Sequence, residues 1–226
     1  MTRLTVIIPA YQESKRIRGS LEQTRAFFDS LGTPYELIVV DDGSTDGTAE
    51  AVGSLASVVK HKTNLGKGAA VRTGTLAATG DWILFLDADL STKPSAFSNF
   101  LPHLENSDLV FGSRRAPEAR IGTAQPAWRN GSGQVFNLLV RIMTGLPYQD
   151  TQCGFKAFRV AACRPLFESL ETTGWAFDVE LLMRAKKNGL IIKEVPVEWH
   201  HQGESKVRLR HFWKVLKDLM AMNRIS

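Results

Sequence analysis

Short continuous apolar runs alternate along the chain with segments of helical spacing. Leu4 to Ile8 is a β-branched run closed by Pro9, the mark of a buried strand. Tyr35 to Val40 is a second such run, and Ser57 to Lys60 a short third. Trp82 to Leu86 is a fourth, too short for a membrane span and of the length of a fully buried strand. Asp108 to Gly112 reads as a fifth. Between them, Ile17, Leu21, Phe27, Phe28 and Leu31 recur at helical spacing, and Gly32-Thr33-Pro34 stops that helix. Helices are also predicted from Ala49 to Leu55, with several N-cap oxygens from Ser44 to Thr48, and from Ala69 to Ala78. Strands and helices alternating at this spacing predict a mostly parallel, doubly wound α/β sheet.

The second half differs in character. Trp128 to Thr144 reads as a helix with Val135, Phe136, Leu138, Leu139, Ile142 and Met143 on a broad apolar face. Asp150 to Phe158 is a turn leading into a strand. A helix opens at Trp175–Asp178 and stops at Asn188-Gly189. Ile191 to Trp199 alternates, with Pro196 marking an edge strand. Val207 to Met222 is a basic amphipathic helix, able to pack on the sheet or lie on an anionic membrane. No linker, repeat or low-complexity tract divides the chain. It reads as one domain over residues 1–226, with a first half at 1–112, a second at 113–206 and the final helix at 207–226.

Composition narrows the class. The 226 residues suffice for a full core, and a formal charge of +5 suits phosphate-bearing partners. No zinc-finger, bZIP or RNA-recognition motif is present, so nucleic acid is not an expected partner. The two cysteines, Cys153 and Cys163, form no disulfide framework or zinc spacing. They read as small core residues of a chain suited to a reducing compartment. Neither a signal-peptide core nor an apolar run of about 18 residues occurs.

The chemistry gathers at strand ends. Trp82–Leu86 runs into Asp87-Ala88-Asp89, and residues two apart on an extended chain point to the same side. Two acids placed so repel unless a cation lies between them, and Mg²⁺ or Mn²⁺ takes such oxygens together with phosphates. A metal–diphosphate site is one reading and a strand followed by a polar turn the other. Glu13, Asp41 and Asp42 also follow strand ends, and in open α/β sheets the ligand crevice lies there. Gly66-Lys67-Gly68 before a helix offers backbone N–H groups to a phosphate, without being a Walker A or G-x-G-x-x-G loop. His200, His201 and His211 have no evident carboxylate partner and read as loop residues.

Taken in order, Val6-Ile-Ile-Pro9-Ala-Tyr11-x-Glu13, Val39-Val-Asp41-Asp42-Gly-Ser44-x-Asp46-Gly-Thr48, Asn64-x-Gly66-Lys67-Gly68, Leu86-Asp87-Ala-Asp89 and Gly112-Ser-Arg114 resemble the motifs of family 2 glycosyltransferases. Asp150-Thr-Gln-Cys-Gly-Phe-Lys156, Phe177-Asp-Val-Glu180, Glu194-Val-Pro-Val-x-Trp199 and Gly203-x-Ser-Lys206 are similar to the branch that glycosylates polyprenyl phosphates, nearest the dolichyl-phosphate β-glucosyltransferases. The dolichyl-phosphate mannose synthases are cousins. They often carry Gln two positions after the second acid, where this chain has Ser91, and Arg before Gly-Glu-Ser-Lys, where it has Gln202.

The resemblance implies a GT-A nucleotide-diphospho-sugar transferase fold, a divalent cation (Mg²⁺ or Mn²⁺) and inversion at the sugar carbon. It implies that Pro9, Tyr11, Glu13, Val40 and Asp42 line a nucleoside pocket and that Asp87 and Asp89 bind the metal. Ala88 would lie by the ribose and diphosphate, with Lys67 in the same donor site. Arg114 and Arg129 would hold the acceptor phosphate, and Lys206 with Ser205 would close over the diphosphate. Arginine's planar fork suits phosphate, and an ionised phosphate acceptor needs no strong base. A sugar hydroxyl acceptor would need one, with Asp178 or Glu180 the candidate; Asp178 reads equally as a helix cap.

The expected activity is transfer of a hexose, glucose from UDP-glucose first and mannose from GDP-mannose second, to a polyprenyl phosphate. The expected place is the inner, cytoplasmic face of the cell membrane, by peripheral contact. A nucleotidyltransferase shares the sheet and acid pair but opens with a Gly-rich basic loop, which Pro9–Glu13 is not. A silent nucleotide-sugar binder is the third reading, against which the intact acid pair speaks.

Overall fold

The computed structural model describes residues 3–123, 137–202, 217–220 and 222. A seven-stranded sheet runs in the order β3-β2-β1-β4-β7-β5-β8. Its strands are β1 (Leu4–Ala10), β2 (Tyr35–Asp41), β3 (Ser57–Lys60), β4 (Trp82–Leu86), β5 (Leu109–Ser113), β7 (Phe155–Arg159) and β8 (Ile192–Pro196). All neighbours pair parallel except β7, which is antiparallel to both β4 and β5. A separate two-stranded parallel sheet joins β6 (Arg120–Thr123) to β9 (Glu198–His200).

The alternation of side chains along each strand divides the core into two layers. Ile7, Ile38, Val40, Ile83, Phe85, Phe111 and Phe158 face α3 (Lys67–Ala77), α6 (Val160–Glu168) and α7 (Phe177–Lys187). Val6, Ile8, Val39, Leu84, Leu86 and Phe155 face α1 (Ile17–Ser30) and a 3₁₀ turn at Pro94–Asn99. Two short helices, α2 (Thr48–Val52) and α4 (Leu101–Leu104), complete the first half. Both cysteines are buried in these layers. Burial pushes each thiol up to about 12.

Two expectations need correction. The alternation from Ile191 to Trp199 suggested one strand, but β8 ends at Pro196 and β9 begins at Glu198 in the other sheet. Proline supplies no N–H for the ladder, and the edge position of β8 lets the chain leave there. In the helix covering residues 137–144, α5, Val140 is buried while Leu138 and Ile142 are 55% and 72% exposed. The broad apolar face expected from the spacing is therefore not buried throughout: among its described members Leu138 and Ile142 face solvent. In the C-terminal segment Leu219 and Met222 are buried and belong to the α3/α7 core layer, while Met220 is exposed. Among the described residues, no helix is long and apolar enough to cross a membrane.

Candidate active site

The carboxyl ends of β1, β2 and β4 come together on one edge, as the parallel register requires. Pro9 pairs with Val40 and Ala10 with Asp41, so the Tyr11–Glu13 and Asp42–Ser44 turns leave the sheet side by side. Three hydrogen bonds tie them: Gln12 N–H to Ser44 Oγ at 2.9 Å, Glu13 N–H to Thr48 Oγ1 at 2.8 Å and Ser14 N–H to Asp46 at 3.0 Å. Burial pushes the Asp46 carboxyl up, but hydrogen bonds from the Thr48 hydroxyl and from Ser14 hold it down at about 2. Tyr11 is exposed, and the Glu13 carboxylate pairs with Arg16 at 2.8 Å. Val40 is fully buried against Gly74 of α3 and forms core beneath this edge.

Asp42 works as a clamp. Its Oδ1 accepts from Leu65 N–H at 2.9 Å and from His61 Nδ1 at 2.7 Å, and its Oδ2 accepts from Gly66 N–H at 2.8 Å. His61 is in turn hydrogen-bonded through Nε2 to Thr73 Oγ1 at 2.9 Å. The loop that carries Lys67 is thereby fixed to the end of β2. This changes the reading of Gly66-x-Gly68. The Gly66 N–H already belongs to Asp42, and a methyl at either glycine would strike the backbone of Thr172 or Thr173. The glycines admit the loop before α7, and the amide of Gly66 is not left for a phosphate.

Asp87 and Asp89 stand at the end of β4 on a rigid base. Asp87 N–H donates to Gly154 O at 3.1 Å, and Ser20 Oγ of α1 donates to Ala88 O at 2.7 Å. Asp89 Oδ1 accepts from Ser91 N–H at 2.9 Å, and Leu90 between them takes a left-handed φ of +50°. Such a conformation costs a branched residue energy and persists where surrounding contacts impose it, often at functional sites. Gly154 is a glycine because any Cβ there would overlap the Asp87 carboxylate.

Lys67 at the start of α3 reaches this pair, its Nζ 2.5 Å from Asp87 Oδ1 and over the rings of Trp175 and Phe85. Burial opposes its charge, but Asp87 and Asp178 overcome that and raise its pKa above the usual lysine value. Asp178 lies in the first turn of α7, whose N-cap position is Ala176, so it is not the cap. Its buried carboxylate pairs with Lys156 at 2.7 Å. Burial raises its pKa, against the pull of Lys156 and Lys67. Glu180 is committed structurally, accepting from the N–H groups of Glu171 and Thr172 and from Arg184.

Arg114, at the end of β5, forms a two-pronged pair with buried Asp150. Its guanidinium stacks over Trp199 at 5.9 Å, and Asp150 drives its pKa further up. Arg129, Ser205 and Lys206 lie outside the described residues, as do His211 and Gln125 to Phe136. His200, expected to lack a carboxylate, meets Glu198 at 2.9 Å because β9 places them on one side of the strand. A shallow hollow of about 520 Å³ lined by Arg25, Asp29, Tyr35 and Glu36 sits at the opposite, amino-terminal ends of β2 and β3, away from this chemistry.

The residues of β1, β2 and β4 that converge here fall inside one family match. Glycosyl transferase family 2 matches residues 5–167. The chain is a family 2 glycosyltransferase. It is 36% identical to a dolichyl-phosphate beta-glucosyltransferase of Trichomonas vaginalis, over 96% of this chain and 69% of that one. It is 38% identical to the dolichyl-phosphate beta-glucosyltransferase of Drosophila melanogaster, over 95% and 71%. In solved structures the transferase is similar to glucosyl-3-phosphoglycerate synthase of Mycobacterium tuberculosis in complex with Mn²⁺, uridine-diphosphate and glucosyl-3-phosphoglycerate. That likeness has a TM-score of 0.72 at 23% identity and covers 99% of this chain and 80% of that one. Mannosyl-3-phosphoglycerate synthase of Rubrobacter xylanophilus follows at 0.71 and 22%, covering 98% and 74%. These two likenesses establish the GT-A fold, and the family match decides against the nucleotidyltransferase reading.

Proposed function

We propose that this glycosyltransferase moves glucose from UDP-glucose onto a polyprenyl phosphate, with inversion, at the surface of a membrane. The observation that carries this is the pairing, on one sheet edge, of an acid pair faced by Lys67 with an arginine held ready by Asp150 across β7. The names of the relatives support glucose and a dolichyl-type acceptor. The Mn²⁺ and uridine-diphosphate in a structure of the same fold support the donor class.

The residues present fit a divalent cation. Asp87 and Asp89 are hard oxygen donors in the turn that follows β4, not on an extended strand as the spacing suggested, and the missing side chain of Gly154 leaves room at the Asp87 carboxylate. Asp87 and Asp89 would hold Mg²⁺ or Mn²⁺. Among the described residues no group of three or more His, Cys, Asp or Glu forms, so diphosphate oxygens and water would fill the other positions. The chemistry such an ion supplies when bound is Lewis-acid stabilisation of the leaving diphosphate.

The chain's own residues do the rest. Pro9, Tyr11 and Glu13, with Asp42 and Val40 behind them, would receive the nucleoside beside Ala88. Lys67 would place its ammonium against the diphosphate. Arg114, its fork fixed on Asp150, would present its remaining Nη1 to the acceptor phosphate, and on the sequence resemblance Arg129 would join it there while Lys206 would close over the diphosphate. One phosphate oxygen of the acceptor attacks the anomeric carbon as the bond to the diphosphate breaks. An ionised phosphate brings no proton to remove, so Asp178 is not required as a base. The exposed Leu138, Ile142 and Met220 are suited to peripheral membrane contact.

The test is a donor panel of UDP-glucose, UDP-galactose, UDP-N-acetylglucosamine and GDP-mannose with Mn²⁺ or Mg²⁺ and a short polyprenyl phosphate. Lipid-dependent release of UDP from UDP-glucose, lost in Asp89→Ala, is expected. Release indifferent to the lipid would overturn the acceptor and return Asp178 as a base for a hydroxyl. Turnover with GDP-mannose alone would overturn the sugar.

A further inference from the structure

Lys156 is a fully buried lysine in the middle of the sheet. It lies on β7, opposite Phe85 of β4 and Phe111 of β5, and its Nζ sits 5.5 and 5.9 Å from the centres of those rings. An ammonium taken so far from water is costly, and a buried ion pair is a weak source of stability because apolar residues of similar size serve as well or better. The partners of this one suggest another purpose. Its Nζ is 2.7 Å from Asp178 Oδ1 and donates to Cys153 O at 2.7 Å. The next residue after Cys153 is Gly154, whose carbonyl receives the N–H of Asp87 and whose bare Cα leaves room for the Asp87 carboxylate. One hidden cation is therefore joined to Asp178 directly and to Asp87 through a single peptide turn. Lys67 lies in the field of both acids.

We propose that Lys156 is a positioning residue of the transfer reaction, holding Asp178 and the Cys153–Gly154 turn so that Lys67 and Asp87 meet the donor in a fixed geometry. The inference rests on the glycosyl-transfer reading above. Contrast with the second buried acid of α7 sharpens it. Glu180 closes a loop by accepting two backbone N–H groups and an arginine, a structural task that involves none of the site's acids. Among the described residues Asp178 closes no loop and pairs with Lys156. A displacement of about 1 Å at reacting groups costs on the order of 100-fold in rate, so a residue that never touches substrate can still govern turnover.

The experiment compares Lys156→Met, Asp178→Asn and the double variant with wild type, by urea denaturation and by steady-state transfer below each unfolding midpoint. Lys156→Met alone leaves a buried carboxylate without its cation and should lose stability together with a fall in kcat of roughly 10- to 100-fold at nearly unchanged donor KM. The double variant removes the stranded charge and should regain stability, while kcat stays low. A double variant with wild-type stability and wild-type kcat would overturn the proposal, since the pair would then be purely structural. So would Lys156→Met with full kcat and a lowered midpoint. Wild-type protein that releases no nucleoside diphosphate from any donor sinks the transfer reading itself, a result separable from either of these.

Discussion

Arg114 and Asp150 form a closed fork: Nε to Oδ2 at 2.6 Å, Nη2 to Oδ1 at 2.7 Å, with the Arg114 backbone N–H adding a third bond to Oδ2 at 2.9 Å. The acid is buried and the arginine half-exposed, so the pair fixes the direction of a cation on the edge of the cleft.

That pair sets a pH dependence. Burial pushes the Asp150 carboxyl up, but Arg114 pulls it further down, to about 2 against an ordinary 3.8. A carboxyl depressed in the folded state contributes stability that is complete above the unfolded value and lost as pH falls through the folded one. The contribution is about 2 kcal/mol at neutral pH, vanishing between about pH 4 and pH 2. Asp150→Asn should lower the urea midpoint at pH 7 and flatten its fall over that interval. An unchanged slope would show that the pair adds no stability.

Gly154→Ala separates site from fold. The new methyl meets the Asp87 carboxylate, which is 34% exposed and can turn away from it only by giving up its pairing with Lys67. The fold should survive while transfer falls by on the order of 100-fold, the scale of losing one preorganised electrostatic group. Gly43→Ala is the opposite case. There φ is +75° and the methyl meets the backbone of Thr63 and Asn64, so a large loss of thermal stability is expected. Full activity of Gly154→Ala would remove Asp87 from the reaction.

Asp42→Asn tests the clamp. Its carboxylate takes three charge-assisted bonds from the 61–66 loop. The amide should cost on the order of 3 kcal/mol in urea denaturation. Because Lys67 follows directly, donor affinity should weaken as well. A stable variant with normal donor affinity would mean the loop is held by other contacts.

The two thiols should be silent. Both are buried with pKa values near 12. At pH 8 native protein should react with a thiol-specific disulfide reagent far more slowly than denatured protein, where both cysteines titrate. Rapid labelling of either in the native state would show that its strand opens locally.

Much of the donor half was legible as sequence. Strand runs of about five apolar residues and the acids that follow them are local features. Once the strands are parallel, Pro9, Asp42 and Asp87 must share an edge. Leu138 and Ile142 mark one limit: both are apolar at helical spacing, yet exposure depends on what packs against the helix, which spacing does not encode.

The sequence by itself determined the parallel α/β class, the acid pair at the end of β4, the family, and the breaks at Pro34 and Gly189; the strand expected to close at Pro9 instead runs through it to Ala10. Local sterics and periodicity suffice for these. Only the tertiary structure decided who meets whom. It put an antiparallel β7 between β4 and β5, which carries Lys156 under Asp178 and Gly154 against Asp87. It gave the Gly66 amide to Asp42 and the Arg114 fork to Asp150. Those partners are 24 and 36 residues apart in the chain, and such pairings are fixed by long-range packing rather than by any local preference.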